Sequence, residues 1–131
     1  MAKEINPFLM FPSGAEQAMN FYISLFPGSR SERIEYFDKP GPGVEGSVKL
    51  ATLNLLGRTL EFFDSPVRHA FTFTPAISFA VVCDSAEEVD RLFAALSDGG
   101  QVLMGLDAYP FARRYGWVND KFGVSWQLRF T

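Results

Sequence analysis

One cysteine, one histidine, no long apolar run and no basic cluster are the first features of this 131-residue chain, and each removes a class of function. Cys83 has no second cysteine to pair with and sits in an apolar strand pattern, which suits a reducing compartment and a cytoplasmic protein. A buried, inert thiol is its expected state. No apolar run approaches the roughly 18 to 20 residues that span a bilayer. Met1-Ala2-Lys3-Glu4 leads straight into a strand pattern, without the charged region, apolar stretch and cleavage site of a signal peptide. Twelve Lys and Arg stand against fifteen Asp and Glu, with Arg113-Arg114 the one adjacent basic pair, so a nucleic-acid partner is not expected. What is present is apolar bulk. Fourteen phenylalanines and a hydrophobic fraction of 47% are enough to build the core of one globular domain over residues 1–131.

The pattern of apolar residues then states one unit twice. Residues 5–11 read as a strand, and Ser13 and Glu16 have the spacing of a capping box before a helix. Ala15, Ala18, Met19, Tyr22, Leu25 and Phe26 form one helical face, and Pro27-Gly28 ends it. Strands are expected over 31–38, 48–56 and 59–64, with PGPGVEG as a loop and Gly57-Arg58 as a tight turn. In the second half, residues 76–83 read as a strand and Ser85 and Glu88 as another capping pair. Ala86, Val89, Leu92, Phe93 and Leu96 mark a helix that Gly99-Gly100 stops. Strands over 101–104, 115–120 and 124–130 complete the repeat. An offset of about 70 residues carries the first strand and helix onto the second. The expected class is α+β, with βαβββ modules at about 1–66 and 74–131 joined by a connector containing Ser65-Pro66 and Thr74-Pro75.

GAEQAMNFYISLFPGS after the first strand and YGWVNDKFGVSWQL near the end, on this paired βαβββ order, resemble the vicinal oxygen chelate superfamily, which includes glyoxalase I, and within it the PhnB-like proteins. The FYxxLFPGS and DxFGVxW elements carry the resemblance, which spans nearly the whole chain. It implies a glyoxalase-like fold in which two modules form a cup of curved mixed sheet, with helices outside and a divalent metal inside. It also implies a small-molecule ligand and a homodimer. Strand alternation places Leu9, Phe11, Ile77, Phe79, Val81, Trp126, Leu128 and Phe130 beneath the helices. Their neighbours are expected to line the cup: Asn6, Phe8, Met10, Thr52, Asn54, Glu61, Phe63, Ala76, Ser78, Ser125, Gln127 and Arg129. Aromatic walls with a few polar groups suit a small-molecule site. The family's metal positions fall near Asn6, Glu61, Ala76 and Gln127. Divalent Zn, Ni, Mn or Fe would therefore find a weak, incomplete set, chiefly Glu61 and Gln127, because such metals favour imidazole and carboxylate donors and Ala76 offers none.

Each candidate carries two readings. Glu61 is a general base for proton abstraction beside a carbonyl, or it pairs with Arg129. Gln127 orients a substrate oxygen or is a structural amide. His69 is a base reaching over the cup or a solvated side chain. Arg113-Arg114 clamps an anion or lies on the surface. Tyr109, Tyr115 and Trp117 form an aromatic wall or pack in the core. Asp120, Lys121, Phe122 and Gly123 make a turn. Two functions follow: a glyoxalase-like lyase or isomerase acting on a small oxygenated metabolite through Glu61, or a non-catalytic binding or sequestering protein without metal. Proteins of this kind are sometimes labelled 3-demethylubiquinone 3-methyltransferases. A Rossmann-type methyltransferase would need a Gly-rich strand-to-helix turn, whereas the glycines of PGPGVEG precede a strand.

Overall fold

Residues 1–38 and 43–131 are described by the structure, a computed structural model; part of the PGPGVEG loop lies outside them. The described residues hold two helices and eight strands in two four-stranded sheets, and divide into unit 1, Met1–Thr72, and unit 2, Phe73–Thr131. No helix among them is long and apolar enough to cross a membrane.

Unit 1 runs β1 (Phe8–Phe11), α1 (Ala15–Leu25), β2 (Arg30–Tyr36), β3 (Val48–Leu55) and β4 (Arg58–Asp64). Its sheet order is β1-β4-β3-β2, with β1 parallel to β4 and the other pairs antiparallel. The first strand starts at Phe8, later than the apolar pattern suggests. Pro7 has no N–H for the ladder and contributes only its carbonyl, which accepts from Glu61 N at 3.0 Å. Ala15, Ala18, Met19, Tyr22 and Leu25 are the buried face of α1, as helical spacing requires. Beneath them lie Phe11 and Phe62, with ring centroids 5.0 Å apart, and Tyr22 meets Phe62 edge-on at 5.9 Å.

The Ser13–Glu16 capping box does not form. Gly14 is the N-cap in the left-handed region, with φ 81, and no side chain of the local sequence caps the helix. The buried carboxylate of Asp64 takes that role from β4: Oδ1 accepts from Ala15 N and Oδ2 from Val48 N, each at 2.9 Å. One side chain thus ties the N-terminus of α1, where the helix dipole favours negative charge, to the start of β3. Glu16 instead accepts from the Tyr36 hydroxyl at 2.9 Å. The tight turn is also displaced by one residue. Leu56 and Gly57 are its central pair, both at positive φ (50 and 87), the pattern of a type I′ hairpin, and Arg58 opens β4. Leu56 is held there because its N–H donates to Ser29 Oγ at 2.9 Å and Gly57 N donates to Asn54 Oδ1 at 2.8 Å.

Unit 2 runs β5 (Phe79–Val82), α2 (Ala86–Ser97), β6 (Gln101–Tyr109), β7 (Ala112–Asn119) and β8 (Ser125–Phe130), in sheet order β5-β8-β7-β6 with β5 parallel to β8. Here the cap is the expected one, since Ser85 Oγ accepts from Glu88 N at 3.2 Å. Trp126, Leu128, Val118, Val89, Leu92 and Leu96 are buried between sheet and helix. Two expectations fail. Ile77, expected under the helix, is 78% exposed, because 74–77 form a turn in which Ile77 N donates to Thr74 O, and β5 begins only at Phe79. The strand expected over 101–104 continues to Tyr109, with register irregularities after Val102, Met104 and Asp107 that break the alternation a sequence reading depends on.

Candidate functional site

In unit 1, alternation turns Leu9, Phe11, Leu60 and Phe62 toward α1 and Phe8, Met10, Glu61 and Phe63 to the opposite face. Glu61 stands between Phe8 on β1 and Thr52 on β3, its register partners. Phe8, 54% exposed, and Phe63 form an aromatic wall beside it, with centroids 5.2 Å apart. The Glu61 carboxylate is half-buried and has no hydrogen bond or ion pair within its unit among the described residues. Asn54, expected as a ligand contact, uses its Oδ1 in the β3–β4 turn. Asn6 lies before β1 and donates to Glu4 Oε1 at 3.1 Å. His69 is exposed and stacked on Phe71, centroids 4.8 Å apart.

The corresponding face of unit 2 is a hydrogen-bonded array. Tyr115 OH donates to Gln127 Oε1 at 2.6 Å, and Gln127 Nε2 donates to Ser78 Oγ at 2.9 Å. Trp117, opposite Gln127, donates its indole N–H to Ser125 Oγ at 2.7 Å. Arg129 is paired in register with Tyr115, and is half-buried. Burial, and next the neighbouring Tyr109, push the Tyr115 phenol up, with Arg129 offsetting part, so Tyr115 stays a proton donor at neutral pH. Tyr115 is 4% exposed and packs edge-on against Tyr109 at 5.4 Å and Phe111 at 4.9 Å, so it is a core residue with a polar tip. The adjacent arginines do not make one anion clamp. Arg114 Nε donates to Asp90 Oδ1 on α2 at 2.7 Å, while the Arg113 guanidinium lies 5.5 Å from the Phe130 ring centre. Successive residues of a strand point to opposite faces.

Pairing also corrects the correspondence between the units. Glu61 pairs with Phe8 and Gln127 with Ala80, so the residue two positions earlier is Asn6 in one unit and Ser78 in the other. Ser78, not Ala76, stands where Asn6 does. The positions where the resemblance implies metal ligands would therefore be Asn6 and Glu61 in unit 1, and Ser78 and Gln127 in unit 2. Among the described residues no group of three or more His, Cys, Asp or Glu could hold a metal ion. The one carbonyl oxygen of the Gln127 side chain already accepts the Tyr115 proton. Within each unit these donors do not fit a divalent transition metal.

Three features escaped the sequence. Asp64 and Asp120 are buried carboxylates saturated by hydrogen bonds; Asp120 Oδ1 accepts from Phe122 N and Val124 N, and Oδ2 from Trp126 Nε1. A cavity of about 250 Å³ lies at the N-terminus of α1, lined by Ser13, Gln17, Ser47 and Asp64 among others. Asp64 follows Phe63 on β4, so this cavity is on the helix side and away from the Glu61 face. Cys83 is buried as expected, and desolvation, then Glu88, push its thiol up, which disfavours the reactive thiolate.

Comparisons with known proteins bear on this arrangement. The family model described as 3-demethylubiquinone-9 3-methyltransferase matches residues 3–129. A PhnB protein from Bacillus cereus, whose description carries the same methyltransferase name, is 50% identical, with 98% of this chain and 100% of that chain covered and a TM-score of 0.95. Protein PA1353 from Pseudomonas aeruginosa is 29% identical over 98% of both chains, with a TM-score of 0.86. The fosfomycin resistance protein FosX from Listeria monocytogenes is 12% identical over 100% of this chain and 94% of that one, TM-score 0.65, a likeness of fold alone. PhnB and FosX are both vicinal oxygen chelate proteins, and the two-unit α+β architecture described above is their glyoxalase-like fold. No curated protein matches the chain.

Proposed function

Because the chain belongs to the 3-demethylubiquinone-9 3-methyltransferase family, the PhnB-like group of glyoxalase-fold proteins, we propose that it binds a small oxygenated metabolite on its sheet faces and that Glu61 moves a proton on that ligand. The observation that carries this reading is the Glu61 environment: a half-buried carboxylate with no internal partner in its unit, between Phe8 and Thr52 and beside the Phe8–Phe63 wall. A structural carboxylate in this chain looks different, as Asp64 and Asp120 show by having their oxygens saturated. An unsatisfied carboxylate beside aromatic rings suits abstraction of a proton next to a carbonyl. No step needs a metal.

Methyl transfer in a Rossmann-type site is not what the fold supports. The junctions from β1 to α1 and from β5 to α2 are three residues each, Pro12-Ser13-Gly14 and Cys83-Asp84-Ser85, and neither is a Gly-rich cradle. A second reading, binding without chemistry, is favoured by Gln127, which corresponds to Glu61 but carries a neutral amide that is no base at neutral pH. Exchange of C–H for C–D in D2O separates the two. Wild type should label pyruvate or hydroxyacetone above the buffer rate, and Glu61→Gln should lose that excess by roughly 10²- to 10⁴-fold. Equal exchange by both proteins would leave only the binding reading.

The proposal includes a cytoplasmic homodimer. Ile77, 78% exposed in the turn before the edge strand β5, and Val82, 61% exposed within it, support a surface that is covered in solution. Light scattering at micromolar concentration should give twice the 14.6 kDa of one chain, and a monomer mass would exclude it.

A further inference from the structure

We propose that the face of the second sheet turned away from α2 is an oxyanion site, in which Arg129, Gln127 and Ser78 hold the carboxylate of a small organic acid. The hydrogen bonds already made there set the sign of what is left. Tyr115 spends its proton on Gln127 Oε1 at 2.6 Å, an O–H···O distance that orients the amide with its nitrogen toward Ser78. One Gln127 N–H then goes to Ser78 Oγ. The second Gln127 N–H and the Ser78 O–H remain, and both are donors. Arg129 adds a guanidinium two residues along the same strand face.

The other arginines of unit 2 are engaged: Arg91 with Glu88, Arg114 with Asp90 and Arg113 over the Phe130 ring. The Arg129 guanidinium has no ion pair or hydrogen bond among the described residues, yet the residue is only half-exposed. Asp107, across β7 from it as the register partner of Tyr115, is exposed and turns Oδ1 onto Ala108 N at 2.8 Å. A face with donors and a positive charge repels a metal ion and complements a carboxylate, which Arg binds bidentately. Trp117 supplies the apolar wall, since its indole N–H is already given to Ser125. The proposal rests on the small-molecule reading in one respect, that a ligand occupies a sheet face, and not on Glu61.

Trp117, opposite Gln127, is a built-in reporter, because the other tryptophan, Trp126, is 1% exposed and on the helix side. The test is a fluorescence titration of the full chain with benzoate, acetate and the neutral benzamide. Benzoate should give a saturable change, and acetate a weaker one. Benzamide, or benzoate with Arg129→Gln, should bind roughly 10- to 100-fold more weakly. Arg129→Lys should fall between wild type and Arg129→Gln, and Glu61→Gln should bind benzoate as wild type does. Thermal unfolding of Arg129→Gln at the wild-type temperature excludes a folding defect. Equal affinity for benzoate and benzamide, indifference to Arg129→Gln, or no saturable response to benzoate or acetate up to about 10 mM would each overturn the site. Loss of benzoate binding in Glu61→Gln with Arg129→Gln unaffected would place the anion in unit 1 and overturn it too. Loss of proton exchange in Glu61→Gln with benzoate binding intact reads on the catalytic proposal alone.

Discussion

Asp120→Ala should lower the melting temperature by on the order of 10 to 20 °C. The carboxylate is 3% exposed and accepts from Phe122 N at 2.8 Å, Val124 N at 3.0 Å and Trp126 Nε1 at 2.9 Å. Alanine orphans all three donors, and the indole N–H belongs to a side chain with no access to water. At about 1–3 kcal/mol for an unsatisfied buried group, with the two turn amides partly rehydrated, the loss is about 3–5 kcal/mol. For a domain of this size each kcal/mol moves the midpoint by roughly 3–5 °C. The consequence reaches function through register. The same turn, closed by Asp120 N to Val124 O and Gly123 N to Asp120 O, sets β8 against β7, and a slip of one residue would turn Gln127 and Arg129 to the wrong face. Asp120→Asn should recover part of the loss, because its Oδ1 still serves the two amides while its NH2 meets the Trp126 N–H donor to donor. If Asp120→Ala melts within about 5 °C of wild type, the three bonds are not what holds this turn.

Gly100→Ala should cost about 3 kcal/mol or more, although the substitution adds one carbon. A Cβ at Gly100 would lie 2.1 Å from the Asn119 carbonyl oxygen and 2.9 Å from the Asp120 carbonyl carbon. These are backbone atoms of the β7 end and its turn, which no rotamer change can move. Its neighbour is a glycine for another reason. Gly99 has φ +74 with only the Lys121 side chain nearby, its Cβ at 3.4 Å, so Gly99→Ala should cost about 1 kcal/mol of left-handed strain. Gly105→Ala meets nothing within 4 Å and serves as the neutral control. Urea midpoints at constant slope measure all three. A Gly100→Ala midpoint equal to that of Gly105→Ala would mean that Gly100 and the β7 end do not approach so closely.

The two glycines also mark the boundary of what periodicity can reveal. Gly99-Gly100 reads as a helix stop, which it is, but the close approach of Asn119 comes from a residue nineteen positions on and leaves no local trace. The same division runs through the candidate site. Strand alternation alone puts Phe8, Glu61 and Phe63 on one face of unit 1 and Ser78, Gln127 and Arg129 on one face of unit 2; pairing arranges the strand residues so, and the Gln127 hydrogen bond brings Ser78 to the same face. It could not show that Asn54 serves a turn, that the Gln127 carbonyl is spent on Tyr115, or that Arg113 and Arg114 go to separate partners.

The repeated βαβββ order, the two helices and their buried faces are properties of the sequence by itself, because each is written in residues two, three or four apart whose burial forces a period. The motifs around FYISLFPGS and DKFGVSW added the family. Tertiary structure alone decided that Asp64 caps α1 from 49 residues away, that β6 bulges past Met104, and that Ser78 stands where Asn6 does. It also decided that Glu61 has no internal partner in its unit while Asp64 and Asp120 are saturated. These depend on which strands pair and in which register, and hydrogen bonds between residues far apart in the chain follow from that pairing and not from any local period.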